Sequence, residues 1–383
     1  MRILHLITRM DGGGSAVNTL LSAIGQLQAG HRVCLGIGPS EESAMSGSER
    51  EQLAQRMQRF NDAGGEVVVI HSLVRRPGLS DYRAYREIRT LLARGFDVVH
   101  THTSKAGALG RLAARDGSAV VVHTPHGHIF LGYFGRLMTT AFIIIERWLA
   151  HSCDALVALT AAERDDHLAC GIGHVSQWRV VPSGVDVTDL AARVDAWREA
   201  HAGAQDWDAV SVGRLTPVKG MDRLVRAWAV FCRQRPDARL AIVGDGEQRG
   251  RLESMCRELG IAANVHFAGW CDPLPFLSSA RSFALLSHNE GMGRAVVEAF
   301  AAGLPCVVAD VCGLRELVTE DCGVVVDGSD PEAVAAALAS DWPASIREAC
   351  RARAESYSLP VMLDALQQLY RELIAARVNH HAD

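Results

Sequence analysis

Short β-branched runs alternate with helix-like segments along the chain, and this alternation constrains the fold more than any other sequence feature. Six strands are predicted in the first half: Arg2–Thr8, His31–Ile37, Glu66–His71, Phe96–Thr101, Ala119–Thr124 and Ala155–Leu159. Helices are predicted between them at 12–29, Ser80–Arg94, Lys105–Arg115 and Phe134–Ala150. Strands joined through helices predict a parallel sheet covered on both faces.

The pattern restarts after the segment Val180–Asp186. Further strands are predicted at Asp208–Val212, Leu240–Val243, Val265–Ala268, Ser282–Leu286, Cys306–Ala309 and Gly323–Val326, with helices at Leu224–Arg233, Gln248–Leu259 and Arg294–Ala302. We therefore expect an α/β protein of two doubly wound Rossmann-like domains, residues 1–185 and 186–360. A C-terminal helix, 361–383, is expected to pack back toward the first domain. Since ligands of such sheets bind beyond the carboxyl ends of the strands, the two domains should face each other across a cleft.

Composition agrees with two folded domains and excludes some classes of function. A chain of 383 residues is too long for one ordinary core. The net charge of -5 argues against a general nucleic-acid binder, which needs a basic face. The ten cysteines show no C-x-x-C spacing, which favours a reduced, cytoplasmic compartment. Met1–His5 enters a strand with no signal peptide, and the apolar run Phe130–Ala150 carries charges that make it a poor membrane span.

The segment Glu290–Pro305 carries the strongest chemical signal. It follows a predicted strand directly, and its glycines would let backbone N–H groups approach an anion at the start of a helix. Glu290 should lie in the loop, whereas Glu298 lies more than a turn along the helix. The alternative is a plain strand-to-helix turn with two solvated glutamates.

A second segment, Val212–Asp222, follows the first strand of the second domain. Arg214 and Lys219 lie five residues apart on a loop bounded by glycine and proline. An arginine fork and a lysine point charge can bracket a diphosphate. A solvated turn with ordinary cations is the alternative, and Asp222 is interpreted as a helix cap.

The glutamate, seven residues, second glutamate, and then the turn Gly303–Pro305 resemble the donor-site signature of glycosyltransferase family 4. The resemblance implies the GT-B fold, with Glu290 binding hydroxyls of a donor sugar and Glu298 binding the nucleotide ribose. It implies that three backbone N–H groups face the diphosphate, those of Met292, Gly293 and Arg294. It also makes Arg214 and Lys219 the pair that neutralises the leaving diphosphate.

The same resemblance assigns further glycines and one aromatic residue to the donor. Gly213 belongs to the diphosphate loop, and Gly244 and Trp270 lie where the family holds the nucleotide base. Gly13 and Gly14 would belong to a flexible loop over the donor phosphates. A nicotinamide site is excluded, because the G-x-G-x-x-G pattern and an acid at the end of the second strand are both missing.

The segment Thr124–His128 ends the fifth strand, and His126 precedes a glycine there. The resemblance implies that His126 lies near the transferred sugar, where it could orient the acceptor or stabilise charge. His128 is the other candidate in this segment for the same role. The alternative is that His126 is a histidine at the domain interface that only forms hydrogen bonds. Further acceptor-side candidates are Arg75, Arg76, Ser104 and Lys105.

A zinc site is one possible interpretation of the strand-end histidines, His100, His102, His123, His126 and His128. No cysteine or acidic ligands accompany them, and such histidines often only pack or form hydrogen bonds. We therefore expect no metal and no cofactor. The expected substrate is a nucleotide-sugar donor.

The sequence thus predicts a retaining glycosyltransferase that uses a nucleoside diphosphate sugar, with uridine as the base. The acceptor would be a sugar, a glycolipid or a lipid-linked saccharide, reached at the cytoplasmic face of a membrane if the protein docks there. The two facing carboxylates of a retaining glycosidase are not apparent. A nucleotide-sugar epimerase or hydrolase on the same fold, and a catalytically silent binding subunit, remain the alternatives.

Overall fold

A computed structural model describes residues 1–39, 45, 47–127 and 135–380. The chain forms two compact units, one of residues 1–184 with the segment from residue 360 onward, the other of residues 185–359. Each unit contains a parallel sheet with helices between its strands. The predicted pair of doubly wound Rossmann-like domains is therefore confirmed.

The first unit contains a sheet of seven described strands in the order β3-β2-β1-β4-β5-β6-β7, all parallel. The strands are β1 (Arg2–Ile7), β2 (Arg32–Ile37), β3 (Glu66–Val69), β4 (Val98–His102), β5 (Val120–Thr124), β6 (Ala155–Ala158) and β7 (Trp178–Val180). The helices of its N-terminal part are α1 (Gly14–Gln28), α2 (Gly47–Asp62), α3 (Ser80–Leu92), α4 (Ser104–Ala114), α5 (Arg136–Ala150) and α6 (Ala161–Ala169). The chain builds outward in one direction from β1 and then returns to β4, so the switch point lies between β1 and β4.

The central strands of this sheet are buried on both faces. Every residue of β4 is buried, as is every residue of β1 after Arg2. Such strands normally read as continuous apolar runs. His5, His100 and His102 interrupt these runs, and each is at most 1% exposed. Buried polar groups in this position require hydrogen-bond partners.

The second unit contains a parallel sheet of six strands in the order β10-β9-β8-β11-β12-β13. Its strands are β8 (Trp207–Val212), β9 (Leu240–Val243), β10 (Val265–Gly269), β11 (Ala280–Leu285), β12 (Cys306–Ala309) and β13 (Gly323–Val326). Its helices are α7 (Val187–Ala200), α8 (Met221–Gln234), α9 (Arg249–Glu258), α10 (Leu274–Ser279), α11 (Arg294–Ala301), α12 (Cys312–Arg315), α13 (Pro331–Leu338) and α14 (Ile346–Glu355). The switch point of this sheet lies between β8 and β11.

The last helix, α15 (Leu359–His380), packs on the first unit from Pro360 onward. A Cβ atom on Gly25 of α1 would lie 2.3 Å from Leu363 Cδ1, so a side chain there would collide with α15. Tyr370 is fully buried. This close packing makes α15 part of the hydrophobic core of the first unit. Among the described helices, none combines the length and apolar character needed to cross a membrane.

Candidate active site

In the second unit, the two loops singled out in the sequence leave adjacent strands at the switch point. The loop from Gly213 to Gly220 follows β8, and the loop from Leu286 to Gly293 follows β11. These strands pair in parallel, so both loops emerge at the same edge of the sheet. Ligands of doubly wound sheets bind at this position.

Lys219 and Glu290 form an ion pair that joins the two loops, through Lys219 Nζ and Glu290 Oε1. Ser287 Oγ donates a hydrogen bond of 2.9 Å to the same carboxylate oxygen. The side chains of Lys219 and Glu290 are 28% and 10% exposed, respectively. The pair is therefore half shielded from water, which strengthens its electrostatic interaction relative to a surface pair.

Backbone contacts hold these loops in place. His288 N–H donates to Val218 O at 2.8 Å, and Gly213 N–H donates to Val243 O at 2.9 Å. Gly220 has φ of 61°, and a Cβ atom there would lie 2.0 Å from Leu286 O. A left-handed residue in such close contact with backbone must be glycine. Gly220 thus allows the β8 loop to lie directly against the β11 loop.

The helix α11 begins at Arg294 after Gly293, whose φ is 87°. Its first turn contains no acidic residue. The partial positive charge of the helix N-terminus is therefore not offset within that turn, and this favours an anion. Met292 is 2% exposed, and Arg294 Nη2 lies 4.0 Å from Glu298 Oε1. As predicted, Glu290 lies in the loop and Glu298 on the helix.

The interpretation of Asp222 as a helix cap is wrong. Gly220 is the N-cap of α8, and no side chain caps this helix. Asp222 lies in the first turn and accepts a 2.9 Å hydrogen bond from Arg226 Nη1. The left-handed conformation of Gly220 lets the helix start at Met221, two residues earlier than it would with Asp222 as the N-cap. The Asp222 carboxylate still interacts favourably with the helix dipole.

The residues assigned to the base lie beyond the neighbouring strands. Gly244 follows β9 and donates its N–H to Gly269 O at 2.8 Å, while Trp270 is half-buried directly after β10. A Cβ atom on Gly244 would lie 2.0 Å from Gly213 O. The loops after β8 and β9 are therefore in direct contact at this edge.

In the first unit, Gly13 is the N-cap of α1 and Gly14 its first residue. Gly13 N–H donates to Asp11 Oδ1 at 2.9 Å. A Cβ atom on the preceding Gly12 would lie 2.4 Å from Glu49 Oε1. Two carboxylates thus lie beside this glycine segment, and one of them already accepts the Gly13 amide hydrogen.

The acceptor-side candidates are partly joined to one another. Lys105 Nζ lies 2.5 Å from Asp81 Oδ1 and donates to Arg76 O at 2.6 Å. Arg75 and Arg76 are exposed, and Ser104 is the first residue of α4. The amide of Ala106 in the first turn of α4 donates to Thr8 Oγ1 at 3.0 Å. His128 lies outside the described residues.

His126 follows β5 with φ of 62°, which is uncommon for a residue other than glycine. Its Nε2 lies 2.9 Å from His102 Nδ1. The next amide, Gly127 N–H, donates to Glu163 Oε1 at 2.7 Å, and Glu163 Oε2 accepts from Leu159 N–H at 2.6 Å. The fully buried Glu163 therefore fixes the segment that carries His126.

The buried histidines behind His126 form a group whose nitrogen atoms could in principle surround a metal. One nitrogen from each of His5, His100 and His102 lies within 4.8 Å of the others. All six ring nitrogens of these residues, however, lie at hydrogen-bonding distance from a protein atom. Burial lowers the pKa of His5 to about 4 and lowers the pKa of His100 and His102 well below the usual value. The three imidazoles are therefore neutral at pH 7.

The sequence did not indicate several residues behind His126. Gln26 of α1 accepts from His5, and Tyr370 of α15 bonds His100 Nδ1 at 2.6 Å. His5 had one local signal, since it is the only polar residue among the buried residues of β1. Gln26 and Tyr370 had none, because their partners lie 21 and 270 residues away.

Two family models match consecutive parts of the chain. Glycosyltransferase Family 4 matches residues 12–189, and Glycosyl transferases group 1 matches residues 194–342. The UDP-Gal:alpha-D-GlcNAc-diphosphoundecaprenol alpha-1,3-galactosyltransferase of Escherichia coli is 31% identical over 59% of this chain and 61% of its own length. The D-inositol 3-phosphate glycosyltransferase of Jonesia denitrificans is 30% identical over 79% of each protein.

Solved structures share the fold at lower identity. The crystal structure of Anabaena HepE in complex with UDP and glucose is 20% identical, with a TM-score of 0.79 over 97% of this chain and all of the other. Sucrose-phosphate synthase from Thermosynechococcus elongatus is 21% identical with the same TM-score, over 98% of this chain. These structures confirm the GT-B fold. The family models and the relatives in sequence show that this chain belongs to glycosyltransferase family 4.

Proposed function

We propose that this chain is a retaining glycosyltransferase that moves a sugar from a UDP-linked donor to a glycan, glycolipid or lipid-linked saccharide. One observation supports this most directly. Lys219, Glu290 and Ser287 meet beside the N-terminus of α11 at the switch point of the second sheet. A carboxylate that accepts sugar hydroxyls thus lies beside groups that bind an anion.

In the proposed reaction, the bond between the anomeric carbon of the sugar and the β-phosphate oxygen breaks. Arg214, Lys219 and the first N–H groups of α11 stabilise the negative charge that develops on the leaving diphosphate. The acceptor hydroxyl forms the new bond on the same face of the sugar, and its proton passes to the leaving phosphate. Glu290 holds donor hydroxyls, Glu298 holds the ribose, and His126 contacts the transferred sugar.

The proposed mechanism uses fixed positive charge from the protein in place of a divalent cation. The ion pair with Glu290 keeps the Lys219 ammonium at the edge of the sheet where the diphosphate is proposed to bind. Donor binding would move Lys219 from the carboxylate toward the phosphate, which frees Glu290 Oε1 for a sugar hydroxyl.

Relatives support a nucleotide donor but differ in its base. The E. coli relative is named for UDP-Gal, and a Mycolicibacterium smegmatis relative, 31% identical over 60% of this chain, is named as GDP-mannose-dependent. The solved relative HepE was crystallised with UDP and glucose. We propose UDP as the donor nucleotide of this chain and treat GDP as the competing outcome.

A lipid-linked acceptor is supported by the outer surface of α5. Five large apolar side chains of this helix are strongly exposed: Leu137, Met138, Ile144, Ile145 and Trp148, at 47–91%. The acidic residue Glu146 instead faces inward, where both of its carboxylate oxygens accept from the fully buried Arg111. The exposed cations Arg136 and Arg147 lie at the two ends of the helix.

An apolar helix face with terminal cations suits the interface of a bilayer that contains anionic lipid. We propose that α5 docks the protein on the inner face of the cell membrane, where a lipid-linked acceptor is available. The ten free cysteines are consistent with this cytoplasmic location. Arg75 and Arg76 remain candidates for contact with an anionic acceptor.

Product analysis tests the proposed activity. The full chain is incubated in EDTA with UDP-linked hexoses or N-acetylhexosamines and a panel of glycan and lipid-linked acceptors. We expect a new glycoside whose anomeric configuration, read from the proton coupling in NMR spectra, equals that of the donor. Inversion would exclude the retaining mechanism, and conversion of the donor without acceptor would favour the epimerase or hydrolase. Donor binding without any product would favour the silent subunit.

A further inference from the structure

A line of hydrogen-bonded side chains connects α1 with His126 through the interior of the first unit. Gln26 Oε1 lies 2.7 Å from His5 Nε2, and His5 Nδ1 lies 2.9 Å from His102 Nε2. His102 Nδ1 then lies 2.9 Å from His126 Nε2. The first three side chains are at most 1% exposed, so the protein supplies their hydrogen bonds.

The direction of each hydrogen bond follows from the orientation of the Gln26 amide, whose carbonyl oxygen faces His5 in this structure. A neutral imidazole has one N–H donor and one acceptor nitrogen. The carbonyl oxygen of Gln26 can only accept, so the proton of His5 lies on Nε2 and its Nδ1 must accept from His102 Nε2–H. By the same step, His102 Nδ1 accepts from His126 Nε2–H. The lone pair of His126 then lies on Nδ1.

A second branch is consistent with this orientation of the Gln26 amide. Gln26 Nε2 donates to Tyr370 Oη at 3.5 Å, and Tyr370 Oη lies 2.6 Å from His100 Nδ1. His100 Nε2 in turn lies 2.7 Å from Thr124 Oγ1. Tyr370 O–H therefore donates to His100, and His100 N–H donates to Thr124. Turning the amide by 180° would reverse every bond in both branches.

We propose that Gln26, His5 and His102 are positioning residues that fix the tautomer of His126, with the proton on Nε2 and the acceptor on Nδ1. The proposal rests on the proposed function, in which His126 contacts the transferred sugar. In this tautomer Nδ1 accepts a hydrogen bond from a sugar hydroxyl, whereas the other tautomer would present a donor at the same place. We call the hydrogen-bonded line Gln26–His5–His102–His126 the relay. The relay thus determines whether His126 accepts or donates the hydrogen bond to the sugar.

Left-handed backbone conformations occur at both ends of the His102–His126 contact. His126 has φ of 62°, and so does Thr103, which directly follows His102. Left-handed conformations are unfavourable for residues other than glycine, and they persist where surrounding contacts hold them. Here Glu163 holds Gly127, and Thr103 Oγ1 lies 3.5 Å from Thr8 Oγ1. The His102–His126 contact is therefore fixed on both sides.

Ring-nitrogen NMR of the full chain, labelled with ¹⁵N-histidine, reads the tautomers directly. Signals are assigned with single His→Gln variants, and we expect the Nε2–H tautomer for His5, His102 and His126 at pH 7. In Gln26→Met the fixed acceptor is lost. We then expect His126 to populate the other tautomer and kcat to fall at least about tenfold, with less change in the KM for donor.

A matched control is His123→Asn, because His123 is equally buried in the same sheet but bonds only Thr101 and lies off the relay. It should change neither the His126 signals nor kcat. The Nδ1–H tautomer for His126 in the wild type would overturn the proposal even if Gln26→Met failed to fold. A Gln26→Met protein with normal kcat would overturn it while leaving the proposed function intact.

Two further outcomes are distinguishable. If the chain has no transferase activity, the proposed function fails, but the tautomers still decide whether the relay exists. If EDTA shifts the signals of His5, His100 and His102 and Zn²⁺ restores them, these residues form a metal site and the relay is excluded.

Discussion

Lys219 contributes most to the proposed site at the scale of single residues, because its ammonium joins the two loops that meet at the switch point. Lys219→Ala removes a charge that would stabilise the leaving diphosphate, a loss of roughly 2–4 kcal/mol in the transition state. We expect kcat to fall about a hundredfold or more, measured as product formed at saturating donor. Arg226→Ala is the control, since Arg226 is an exposed cation of the same unit that pairs with Asp222. Equal losses in the two variants would contradict the role of Lys219.

Glu290→Gln tests the negative charge of this carboxylate, because glutamine has nearly the same shape but no charge. The amide keeps a hydrogen-bonding group near Ser287 but removes the negative charge that pairs with Lys219. We expect a rise in the KM for the sugar nucleotide together with a lower kcat, since this residue would bind donor hydroxyls. UDP without the sugar should bind with little change, which calorimetry measures. A loss of UDP binding as large as the loss of turnover would place Glu290 at the nucleotide instead.

The buried histidines should make the first unit sensitive to acid. Burial lowers the pKa values of His5, His100, His102 and His123 in the folded chain, whereas an unfolded histidine titrates near 6.5. Below about pH 6.5 the unfolded chain therefore binds more protons, and stability falls as the pH falls toward about 4, the pKa of His5. Each of these histidines lowers the free energy of unfolding by up to about 1.4 kcal/mol for every unit by which the pH falls in that window.

Thermal unfolding between pH 7.5 and pH 5 measures this dependence. We expect a steady fall in the Tm of the transition assigned to the first unit, and a shallower fall for His123→Asn. A Tm independent of pH over this range would show that the four histidines are not neutral and buried in solution.

Local sequence signals indicated the residues of the proposed donor site in the second unit, but not the residues behind His126 in the first. Arg214, Lys219, Glu290 and Glu298 lie on short segments with glycines at strand ends, and that pattern is visible without a structure. Gln26, Tyr370 and Glu163 act through contacts with residues 21 to 270 positions away. Such pairings depend on the tertiary fold, so no local periodicity could have indicated them.

At the scale of elements, the join between the β8 loop and α8 depends on glycine. Gly220→Ala would place a Cβ atom 2.0 Å from Leu286 O and impose a left-handed φ of 61° on alanine. We expect a loss of more than about 1 kcal/mol of stability in the second unit, and reduced turnover because Lys219 is displaced. Chemical denaturation measures the stability change.

Gly250→Ala is the matched substitution for that experiment. Gly250 lies exposed in α9, and a Cβ atom there would meet nothing within 4 Å. Alanine in a helix is more favourable than glycine by roughly 0.5–1 kcal/mol, so this variant should be slightly more stable than wild type. Equal stability of the two alanine variants would show that Gly220 does not hold the conformation described here.

The outward apolar face of α5 predicts binding to lipid. Ile144→Glu/Trp148→Glu places two charges on this face without touching the Arg111–Glu146 contact. We expect wild type to sediment with vesicles that contain anionic lipid and the double variant to remain in the supernatant. Val175→Glu changes an exposed apolar residue outside α5 and should sediment like wild type. A wild type that never sediments would favour a small, water-soluble acceptor.

The elements were predicted unevenly, for identifiable reasons. Strands such as β1, β4 and β9 are short and buried, and their predicted and observed ranges differ by at most two residues at either end. The helix α2 was not predicted, because its polar sequence from Gly47 to Asp62 has weak apolar periodicity. The helices α13 and α14 were also missed. α13 is alanine-rich and carries little contrast between its faces, whereas the buried face of α14 is marked by just three residues at every fourth position, Ile346, Cys350 and Ala354.

At the scale of the whole molecule, two sheets of the same design carry different groups at their switch points. The first unit presents buried neutral histidines behind His126, and the second presents charged groups beside a helix N-terminus. The alternation of strands and helices predicted both sheets, because hydrophobic patterning is a property of the chain itself. The C-terminal helix joined the first unit through Gly25 and Tyr370, a contact that depends on shape and not on pattern.

Calorimetry with UDP in excess EDTA tests the central claim most directly, namely that the second unit holds a nucleoside diphosphate through protein charges alone. We expect UDP to bind the full chain without metal, and Lys219→Ala to weaken its affinity at least about tenfold, a change of about 1.4 kcal/mol. Arg226→Ala should bind as wild type does. Tighter binding of GDP than of UDP would change the proposed base but would still support the proposed site. Failure of both nucleotides to bind in EDTA, or binding that requires Mg²⁺, would contradict the account.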